Sequence, residues 1–290
     1  MPSFVEFCTQ LLNGVVLGLL YALVALGFML ILGFMEVINF SHGMLFAFGA
    51  YFAITLIPVV GFWPAFLIGP VIVGIMGVLL EFAVRRTYGK DPLFGLLLTF
   101  GAAMALEEIV KIIWGPGNYS MMIPAFAQGP ISLGFITYSK YRAFLAGLAI
   151  LFIALTWLFL EKTPYGALIK AGAFDSEMVM AMGIDLRKLR TVVFGLGSLL
   201  AAAAGIVAAP LWSVKPTMGT DVIMPAFVVV VIGGVGSLWG SVIGGLLVGV
   251  LTAISVMFMP RTSSITMYIL MTIILLVRPR GLMGEKSILD

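Results

Sequence analysis

Ionised side chains are scarce in this sequence of 290 residues, of which only 10% are Asp, Glu, Lys or Arg. A soluble protein contains roughly 25% of these residues, because its surface must remain in contact with water. Hydrophobic residues make up 62% of the chain, and the mean hydropathy is +1.18. The composition therefore excludes a water-soluble domain and predicts an integral membrane protein whose surface is covered by lipid.

Cysteine and histidine are almost absent as well, since the chain has one of each, Cys8 and His42. A single cysteine excludes an internal disulfide bond and a cysteine-built metal site. A single histidine without a cluster of carboxylates argues against a metal centre. No nucleophile–base pair and no phosphate loop ending in Lys-Ser/Thr occurs, so the sequence indicates neither an enzyme nor a cofactor bound by this chain. The scattered basic residues do not form a nucleic-acid surface.

Nine apolar stretches approach the length of about 20 residues that a membrane-spanning helix needs. They are residues 11–34, 43–59, 63–84, 93–114, 143–160, 192–211, 222–235, 241–259 and 265–277. Several are short or rich in Gly and Pro, and a broken segment is tolerated only where protein or a water-filled cavity covers its backbone. We expect an all-α, polytopic membrane protein with about eight or nine transmembrane segments, one or two of them broken or short. Residues 1–290 are expected to form a single transmembrane domain.

Lysine and arginine are distributed unevenly between successive loops. One set of loops contains Arg85, Arg86, Lys90, Lys162, Lys170, Arg187, Lys188, Arg190, Arg278, Arg280 and Lys286, whereas the alternate set contains Lys140, Arg142, Lys215 and Arg261. Loops rich in Lys and Arg lie on the cytoplasmic side of a membrane. The pattern predicts a periplasmic N-terminus, a cytoplasmic C-terminus, an external loop at about residues 115–141 and a cytoplasmic loop at about residues 161–190.

The cytoplasmic loop is longer than the 2–8 residues that join two helices in a simple connection. Residues 167–182 have the composition of a short amphipathic helix that Gly183 ends, and Met178, Met180 and Met182 give it an apolar edge. Such an edge favours a helix that docks into a groove of a partner protein. A helix that lies on the lipid surface is the alternative.

Polar residues interrupt the apolar pattern between the first two segments, at Asn39, Ser41 and His42. Polar groups at membrane depth serve a transport pathway or form hydrogen bonds between helices. Asn39 or Ser41 can equally cap the helix that begins near Gly43. For His42, a structural hydrogen bond and a contact with substrate both remain open.

A glycine-rich run, GGVGSLWG, occupies residues 233–240 and continues to Gly244, Gly245 and Gly249. Gly236, Gly240 and Gly244 are four residues apart and predict a helix stripe that a second backbone approaches closely. Gly233 and Gly234 indicate a break in a membrane segment, and transporters place their pathways at such breaks. Close packing without a pathway is the alternative.

Charged residues within the apolar segments form two predicted pairs, Glu81 with Arg85 and Glu107 with Lys111. Both pairs have the favourable i, i+4 spacing on a helix. Each lies at the end of a segment, Glu81–Arg85 at a cytoplasmic end and Glu107–Lys111 at an outward-facing end, where the latter pair is typical of side chains that reach the membrane surface. An ion-coupled secondary transporter or a channel, the alternative function, would need buried acidic residues or a ring of residues that selects ions.

Several motifs together resemble one family. They are INFSHGMLFAFGAY (residues 38–51), LLLTFGAAMALEEIVKIIWG (96–115), TPYGALIKAGAFDSEMVMAMGIDLRKLR (163–190), VVVVIGGVGSLWGSVIGGLLVG (228–249) and RPRGLMG (278–284). In this order, and over nearly the whole chain, they resemble the permeases of branched-chain amino-acid ABC transporters, with more similarity to the LivH type than to its LivM partner. The chain departs from the family at residues 170–174, where Lys-Ala-Gly-Ala-Phe replaces the usual Arg-Ala-Val-Ala-Gln.

The resemblance implies a permease subunit of an ATP-driven importer for branched-chain amino acids or related small solutes in a bacterial inner membrane. It implies a second related permease that completes a pseudo-symmetric pore, two cytoplasmic ATPase subunits that carry ATP and Mg, and a periplasmic solute-binding protein. The implied residues that couple to the ATPases are Lys170, Asp175, Glu177, Met182, Gly183 and Ile184. The expected translocation pathway comprises Asn39, Ser41, His42, Gly43, Gly233, Gly234, Gly236 and Ser237.

Overall fold

The computed structural model describes residues 3–132, 134 and 136–284, and this part of the chain is almost entirely helical. The α-helices are α1 (Phe4–Met35), α2 (His42–Val60), α3 (Phe62–Val84), α4 (Pro92–Trp114), α5 (Lys140–Lys162), α6 (Pro164–Phe174), α7 (Ser176–Ala181), α8 (Leu186–Ala208), α9 (Met218–Gly233), α10 (Leu238–Phe258) and α11 (Ser263–Val277). Short 3₁₀ turns lie at Arg85–Thr87 and Ala125–Ala127, and one hairpin pairs β1 (Pro130–Ser132) with β2 (Thr137–Ser139).

Each of the nine apolar stretches forms a helix. Seven of these helices, α1, α2, α3, α4, α5, α8 and α10, are long and apolar enough to cross a membrane. The other two, α9 and α11, are apolar but shorter, at 16 and 15 residues. The predicted all-α membrane fold is confirmed, and the predicted count of eight or nine segments compares with seven full-length and two shorter apolar helices in the described residues.

Polar residues next to the apolar runs determine where several helices begin. Ser3 and Glu6 form a reciprocal capping box at the start of α1. Asp91 accepts a hydrogen bond from the backbone N–H of Leu93 (2.9 Å), and Pro92 occupies the first position of α4. Side-chain oxygens at these positions satisfy N–H groups that have no partner within the helix.

Backbone contacts at glycine hold the centre of the bundle together. A Cβ atom on Gly249 of α10 would lie 2.3 Å from the Cα of Gly18 in α1, and a Cβ atom on Gly245 would lie 2.7 Å from the Gly18 carbonyl oxygen. A Cβ atom on Gly49 of α2 would lie 2.2 Å from the carbonyl oxygen of Ala202 in α8. Helices α1, α2, α8 and α10 therefore form the core, because only glycine at these positions permits so close an approach.

Two helices begin inside the bundle rather than at its surface. The His42 ring at the start of α2 lies beside Gly27 of α1, and Gly27 packs on Gly197, the central residue of α8. Gly43 in turn packs on Gly219, in the first turn of α9. The start of α2 and the start of α9 thus meet at about half the depth of α8.

The bundle has two distinct ends. The hairpin end contains the start of α1, the β1–β2 hairpin and an isolated pairing of Tyr119 with Val214. The α6–α7 end contains the end of α1, α6 and α7. Helices α4 and α11 lie at the periphery, since α4 buries only Gly95, Thr99 and Val110 and the described residues of α11 bury none.

Candidate functional site

The segment predicted as one helix over residues 167–182 is two helices, and that prediction was wrong. Asp175 separates α6 from α7 because its backbone is extended (φ −149°) and its carboxylate accepts a hydrogen bond from the N–H of Met178 (2.9 Å). An aspartate at this position caps a new helix more readily than it continues the old one. The sequence contained this signal in the run Asp175-Ser176-Glu177.

Gly183 ends α7 as predicted, with a left-handed backbone (φ +81°). Its N–H donates to the carbonyl oxygen of Met180 (2.9 Å), and the N–H of Ile184 donates to that of Val179 (3.4 Å). An L-residue rarely adopts this backbone conformation. The end of α7 therefore depends on glycine.

The two faces of α6 and α7 differ in polarity and burial. Ile169, Gly172 and Val179 are buried, and a Cβ atom on Gly172 would lie 2.7 Å from the Phe34 ring of α1. The opposite face exposes Phe174, Met178, Met180 and Met182. The predicted apolar edge is confirmed, and the α6–α7 segment therefore presents an apolar surface at this end of the bundle.

The predicted coupling residues occupy different places on this segment. Lys170 forms an ion pair with Glu161, Asp175 caps α7, and Glu177 lies exposed in the first turn of α7. Met182 and Gly183 are exposed, whereas Ile184 is half-buried.

A cavity of about 1010 Å³ lies beneath the α6–α7 segment. Residues from both predicted sets line it, namely Lys170, Asp175, Glu177, Gly236 and Ser237. Glu36 and Glu161, which the sequence did not identify as site residues, line it as well, so four carboxylates face one lysine. The structure therefore brings the segment and the α9–α10 turn to one acidic cavity.

The α9–α10 turn is glycine-dependent for two reasons. Gly234 and Gly236 have positive φ values (+100° and +83°), and a Cβ atom on Gly233 would lie 2.3 Å from the Gly240 carbonyl carbon. Ser237 caps α10 by accepting a hydrogen bond from the N–H of Gly240 (3.0 Å). These contacts show close packing at a break between two helices.

The predicted stripe of Gly236, Gly240 and Gly244 is correct only in part. Gly240 and Gly244 lie in α10 and pack on α9, at Gly233 and Val229. Gly236 precedes α10, and nothing lies within 4 Å of a Cβ atom placed on it. The second stripe, Gly245 and Gly249, faces α1 instead.

The RPRGLMG motif (residues 278–284) explains why residue 234 has no room for a side chain. Its backbone pairs with the end of α9, since the N–H of Leu282 donates to Ile232 O (2.8 Å) and that of Met283 donates to Gly233 O (2.9 Å). A Cβ atom on Gly234 would lie 2.4 Å from the Gly284 nitrogen. Sequence reasoning did not assign a role to this motif, because nothing in its residue types indicates the distant partner.

The segment before α2 is buried within the chain. Asn39, Ser41 and His42 are all 0% exposed, and none of them lines the cavity described above. Ser41 Oγ donates to Asn39 Oδ1, and His42 Nε2 donates to Val24 O (3.1 Å). Asn39 Nδ2 and His42 Nδ1 have no hydrogen-bond partner in the part of the chain that the structure describes. Of the two roles left open for His42, these contacts match the structural hydrogen bond rather than a contact with substrate.

Thr99 of α4 fixes this segment in place. Its hydroxyl donates to Ile38 O (2.9 Å) and accepts from the N–H of Phe40 (3.2 Å). Backbone polar groups that leave helical geometry inside a membrane protein need such partners. No local sequence pattern marks Thr99, because its partners are about sixty residues away.

Both predicted charge pairs are present, in very different surroundings. Glu81 is fully buried and pairs with Arg85 (2.6 Å), while Thr191 Oγ1 donates to its Oε2 (3.1 Å) and Tyr88 Oη to its Oε1 (3.2 Å). Burial, together with the negative charge of Glu81, raises the pKa of Tyr88 above its ordinary value. At the hairpin end, Lys111 pairs with Glu107 (3.0 Å) and Glu108 (2.7 Å) in a more exposed position.

No group of three His, Cys, Asp or Glu side chains suited to a metal ion occurs within residues 3–132, 134 and 136–284. The cavity chemistry is that of carboxylates, one lysine and apolar side chains.

The family described as "Branched-chain amino acid transport system / permease component" matches residues 10–276. The chain belongs to this family. The resemblance noted in the sequence is therefore confirmed, and with it the function of a permease component in a transport system. The family relationship also accounts for the bundle of apolar helices, since a permease component resides in a membrane.

Two relatives match the permease over almost its full length. The high-affinity branched-chain amino acid transport system permease protein BraD of Pseudomonas aeruginosa is 28% identical over 99% of both chains. The corresponding LivH protein of Escherichia coli is 26% identical over 99% of this chain and 98% of its own.

A more distant relative, a probable branched-chain amino acid transport permease protein LivM of Methanocaldococcus jannaschii, is 30% identical over 69% of this chain and 62% of its own. Among solved structures, the PsaBC complex of Streptococcus pneumoniae with a Fab contains a chain of similar fold. The two chains are 12% identical with a TM-score of 0.50, and the similarity covers 91% of this chain and 89% of the other.

Proposed function

We propose that this chain is the membrane-spanning permease subunit of an ATP-driven importer for branched-chain amino acids or related small solutes. The family and the BraD and LivH relatives support the solute class. Residues 1–290 form one transmembrane domain in the bacterial inner membrane, with residues 115–141 outside, residues 161–190 inside, a periplasmic N-terminus and a cytoplasmic C-terminus. The uneven distribution of Lys and Arg supports this orientation.

The importer contains a second related permease, two cytoplasmic ATPases that bind ATP and Mg, and a periplasmic binding protein that delivers the solute. This chain itself hydrolyses nothing and binds no cofactor. The observation that carries the proposal is the exposed apolar face of the α6–α7 segment above the acidic cavity. A helix with such a face can dock into a groove of a partner and transmit its movement.

The residues have separate roles in this mechanism. Met182, Gly183 and Ile184 set the end of the segment that meets the ATPase, and Lys170, Asp175 and Glu177 connect it to the cavity. Gly233, Gly234, Gly236 and Ser237 form the turn on which the segment acts. Asn39, Ser41, His42 and Gly43 hold the buried start of α2, opposite the start of α9. Movement of α6 and α7 then opens a pathway alternately to each side.

The decisive experiment is uptake of radiolabelled leucine into proteoliposomes that contain the complex purified through a tag on this chain. We expect uptake only when ATP is inside the vesicles and the binding protein is outside. A proton or sodium gradient without ATP tests the secondary-transport alternative. Uptake driven by a gradient alone, or by this chain without an ATPase, would overturn the proposal.

The coupling role is tested by Gly183→Val. Valine at φ +81° costs about 1–2 kcal/mol, so uptake should fall at least about tenfold while the complex still hydrolyses ATP. Gly89→Val is the matched control, because Gly89 also has a positive φ (+71°) and nothing within 4 Å, but lies outside the segment. Equal uptake by the two variants would contradict a coupling role for Gly183.

A further inference from the structure

A second, smaller cavity of about 260 Å³ lies at the hairpin end, between α1, α5 and α10. Small-molecule sites begin at about 300 Å³, so this cavity suits a solute of the size of one amino acid and nothing much larger. Trp212, from the loop between α8 and α9, forms part of its wall. None of the predicted pathway or coupling residues lines this cavity, and no step of the proposed mechanism involves it.

One side of this cavity is polar and positively charged. The Arg142 guanidinium donates a hydrogen bond to Asn13 Oδ1, which also accepts from Tyr138 Oη (3.2 Å). Asn13 Nδ2 donates to Gln10 Oε1 (3.2 Å), and Gln10 Nε2 donates to Ala253 O (2.9 Å). This chain of hydrogen bonds holds Arg142 at the cavity by means of neutral groups alone.

Arg142 differs in this respect from Lys111, another cation within a helix at this end. Lys111 pairs with Glu107 and Glu108, whereas no described Asp or Glu forms an ion pair with Arg142. Arg142 is only partly exposed. A guanidinium in that position attracts a carboxylate strongly, because it presents several donors in a planar fork and is incompletely screened by water.

Thr252 of α10 supplies a second polar group to the same cavity. Its hydroxyl oxygen is buried and has no hydrogen-bond partner within the described residues. A buried hydroxyl without a partner costs free energy, which a ligand with an acceptor oxygen would recover. The facing wall is apolar and includes Leu17, Leu145 and Val256.

We propose that this cavity is the first binding site on the permease for the incoming solute, with Arg142 and Thr252 binding its carboxylate and the apolar wall contacting an aliphatic side chain. The inference rests on the proposed function and on the orientation that places the hairpin end outside. It assigns the solute class as small carboxylates with an apolar side chain, and it makes Arg142 the residue that distinguishes a carboxylate from an amide.

The test is equilibrium binding of radiolabelled L-leucine to the whole complex in lipid nanodiscs, without the binding protein. Unlabelled leucine should displace the label, and leucinamide, which lacks the carboxylate, should displace it at least about tenfold less well. Arg142→Gln should weaken leucine binding at least about tenfold and remove the preference over leucinamide. Arg142→Lys should restore part of the preference, because it keeps the charge and loses the fork.

Two controls make the result specific. Arg261→Gln removes an exposed arginine that the same charge pattern assigns to the outer side, and leucine binding should not change. Thr252→Val tests the site independently, in case the Arg142→Gln complex does not assemble. It removes the unpaired hydroxyl, leaves no other polar group unpaired, and should weaken leucine binding. Retention of the leucine preference in Arg142→Gln, or equal binding of leucine and leucinamide by the unaltered complex, would overturn the inference. If either of these results is found and ATP-driven uptake persists, the proposed function still holds. If ATP-driven uptake is absent, the proposed function and this inference both fail.

Discussion

The α1–α10 junction and the α6–α7 segment are joined to the rest of the bundle by different kinds of contact. At the junction, Gly18 faces Gly245 and Gly249 so closely that backbone atoms touch backbone atoms. The segment is instead held by side chains, with Ile169 and Val179 buried beneath it and the Lys170–Glu161 pair at its edge. Backbone contacts at this distance leave no room for adjustment, whereas side-chain contacts can be rearranged.

The difference indicates which part of the permease moves. The junction connects the middle of α1 to the middle of α10, and we expect it to remain rigid during transport. The segment lies over a large acidic cavity and is interrupted at Asp175, so it can shift with little loss of packing. Substitutions at the junction should therefore lower the free energy of unfolding more than substitutions near the segment.

The largest effect is expected from Gly249→Ala. The added methyl group would lie 2.3 Å from both the Cα and the nitrogen of Gly18, so the two helices must separate. We expect the free energy of unfolding to fall by about 3 kcal/mol, as in other overpacked cores. The measurement is unfolding by SDS in mixed micelles, followed by circular dichroism.

Gly147→Ala is the matched control for this substitution. Gly147 lies in α5, and nothing lies within 4 Å of a Cβ atom placed on it. Because alanine favours a helix more than glycine does, this variant should be unchanged or more stable by up to about 1 kcal/mol. If both variants lose stability equally, the α1–α10 junction is not held by backbone contact.

The membrane helices were predictable because hydrophobicity is sufficient to locate them. Each of nine apolar runs forms a helix, and Gly183 ends α7 as its position suggested. The break at Asp175 was missed, because helix-forming composition on both sides outweighed one capping residue. Local propensity indicates where helices can form, but a single aspartate decides where one ends and the next begins.

The site was less predictable than the fold. The glycines at 233–236 were identified, but the pairing of Gly234 with Gly284 and the packing of Gly249 on Gly18 depend on contacts between distant parts of the chain. Arg142 received no role, since from sequence it was only one basic residue in an outer loop. Its importance follows from Asn13 and Thr252, which reach the same cavity from other helices.

An intermediate effect is expected from Glu81→Gln, close to the α6–α7 segment. Glu81 is fully buried and accepts hydrogen bonds from Arg85 and Thr191, the latter near the start of α8. Removal of the charge weakens these bonds and should lower the free energy of unfolding by about 2 kcal/mol. At the hairpin end, Glu108→Gln should cost less than about 1 kcal/mol, because Glu108 is 65% exposed.

A double-mutant cycle isolates the Glu81–Arg85 interaction. Arg85→Gln alone should be destabilising, but in the Glu81→Gln background it should cost clearly less, because the ion pair has already been lost. Strictly additive losses would show that the two side chains contribute independently, and Glu81 would then matter for packing alone. The same unfolding assay serves for all variants.

The smallest effect is the pH dependence of stability that Tyr88→Phe removes, which is confined to alkaline pH and adds to the pH-independent loss of the hydrogen bond to Glu81. The pKa of Tyr88 is raised in the folded protein by burial and by the Glu81 carboxylate, so the unfolded chain loses this proton first. The stabilisation is complete below about pH 10, the ordinary value for tyrosine, and is lost as pH rises towards the folded value. From pH 10 to 11 the unaltered protein should lose about 1 kcal/mol more stability than Tyr88→Phe.

Tyr138→Phe supplies the comparison at the hairpin end. Burial also raises the pKa of Tyr138, but the positive charge of Arg142 lowers it in part. The loss of stability at alkaline pH that is due to Tyr138 should therefore be smaller than the loss that is due to Tyr88. If Tyr138→Phe removes the larger share of the alkaline loss, then the cation at the hairpin cavity is not close enough to act on that hydroxyl. Arg142 would then lie farther from the Tyr138 hydroxyl than their shared acceptor, Asn13 Oδ1, implies.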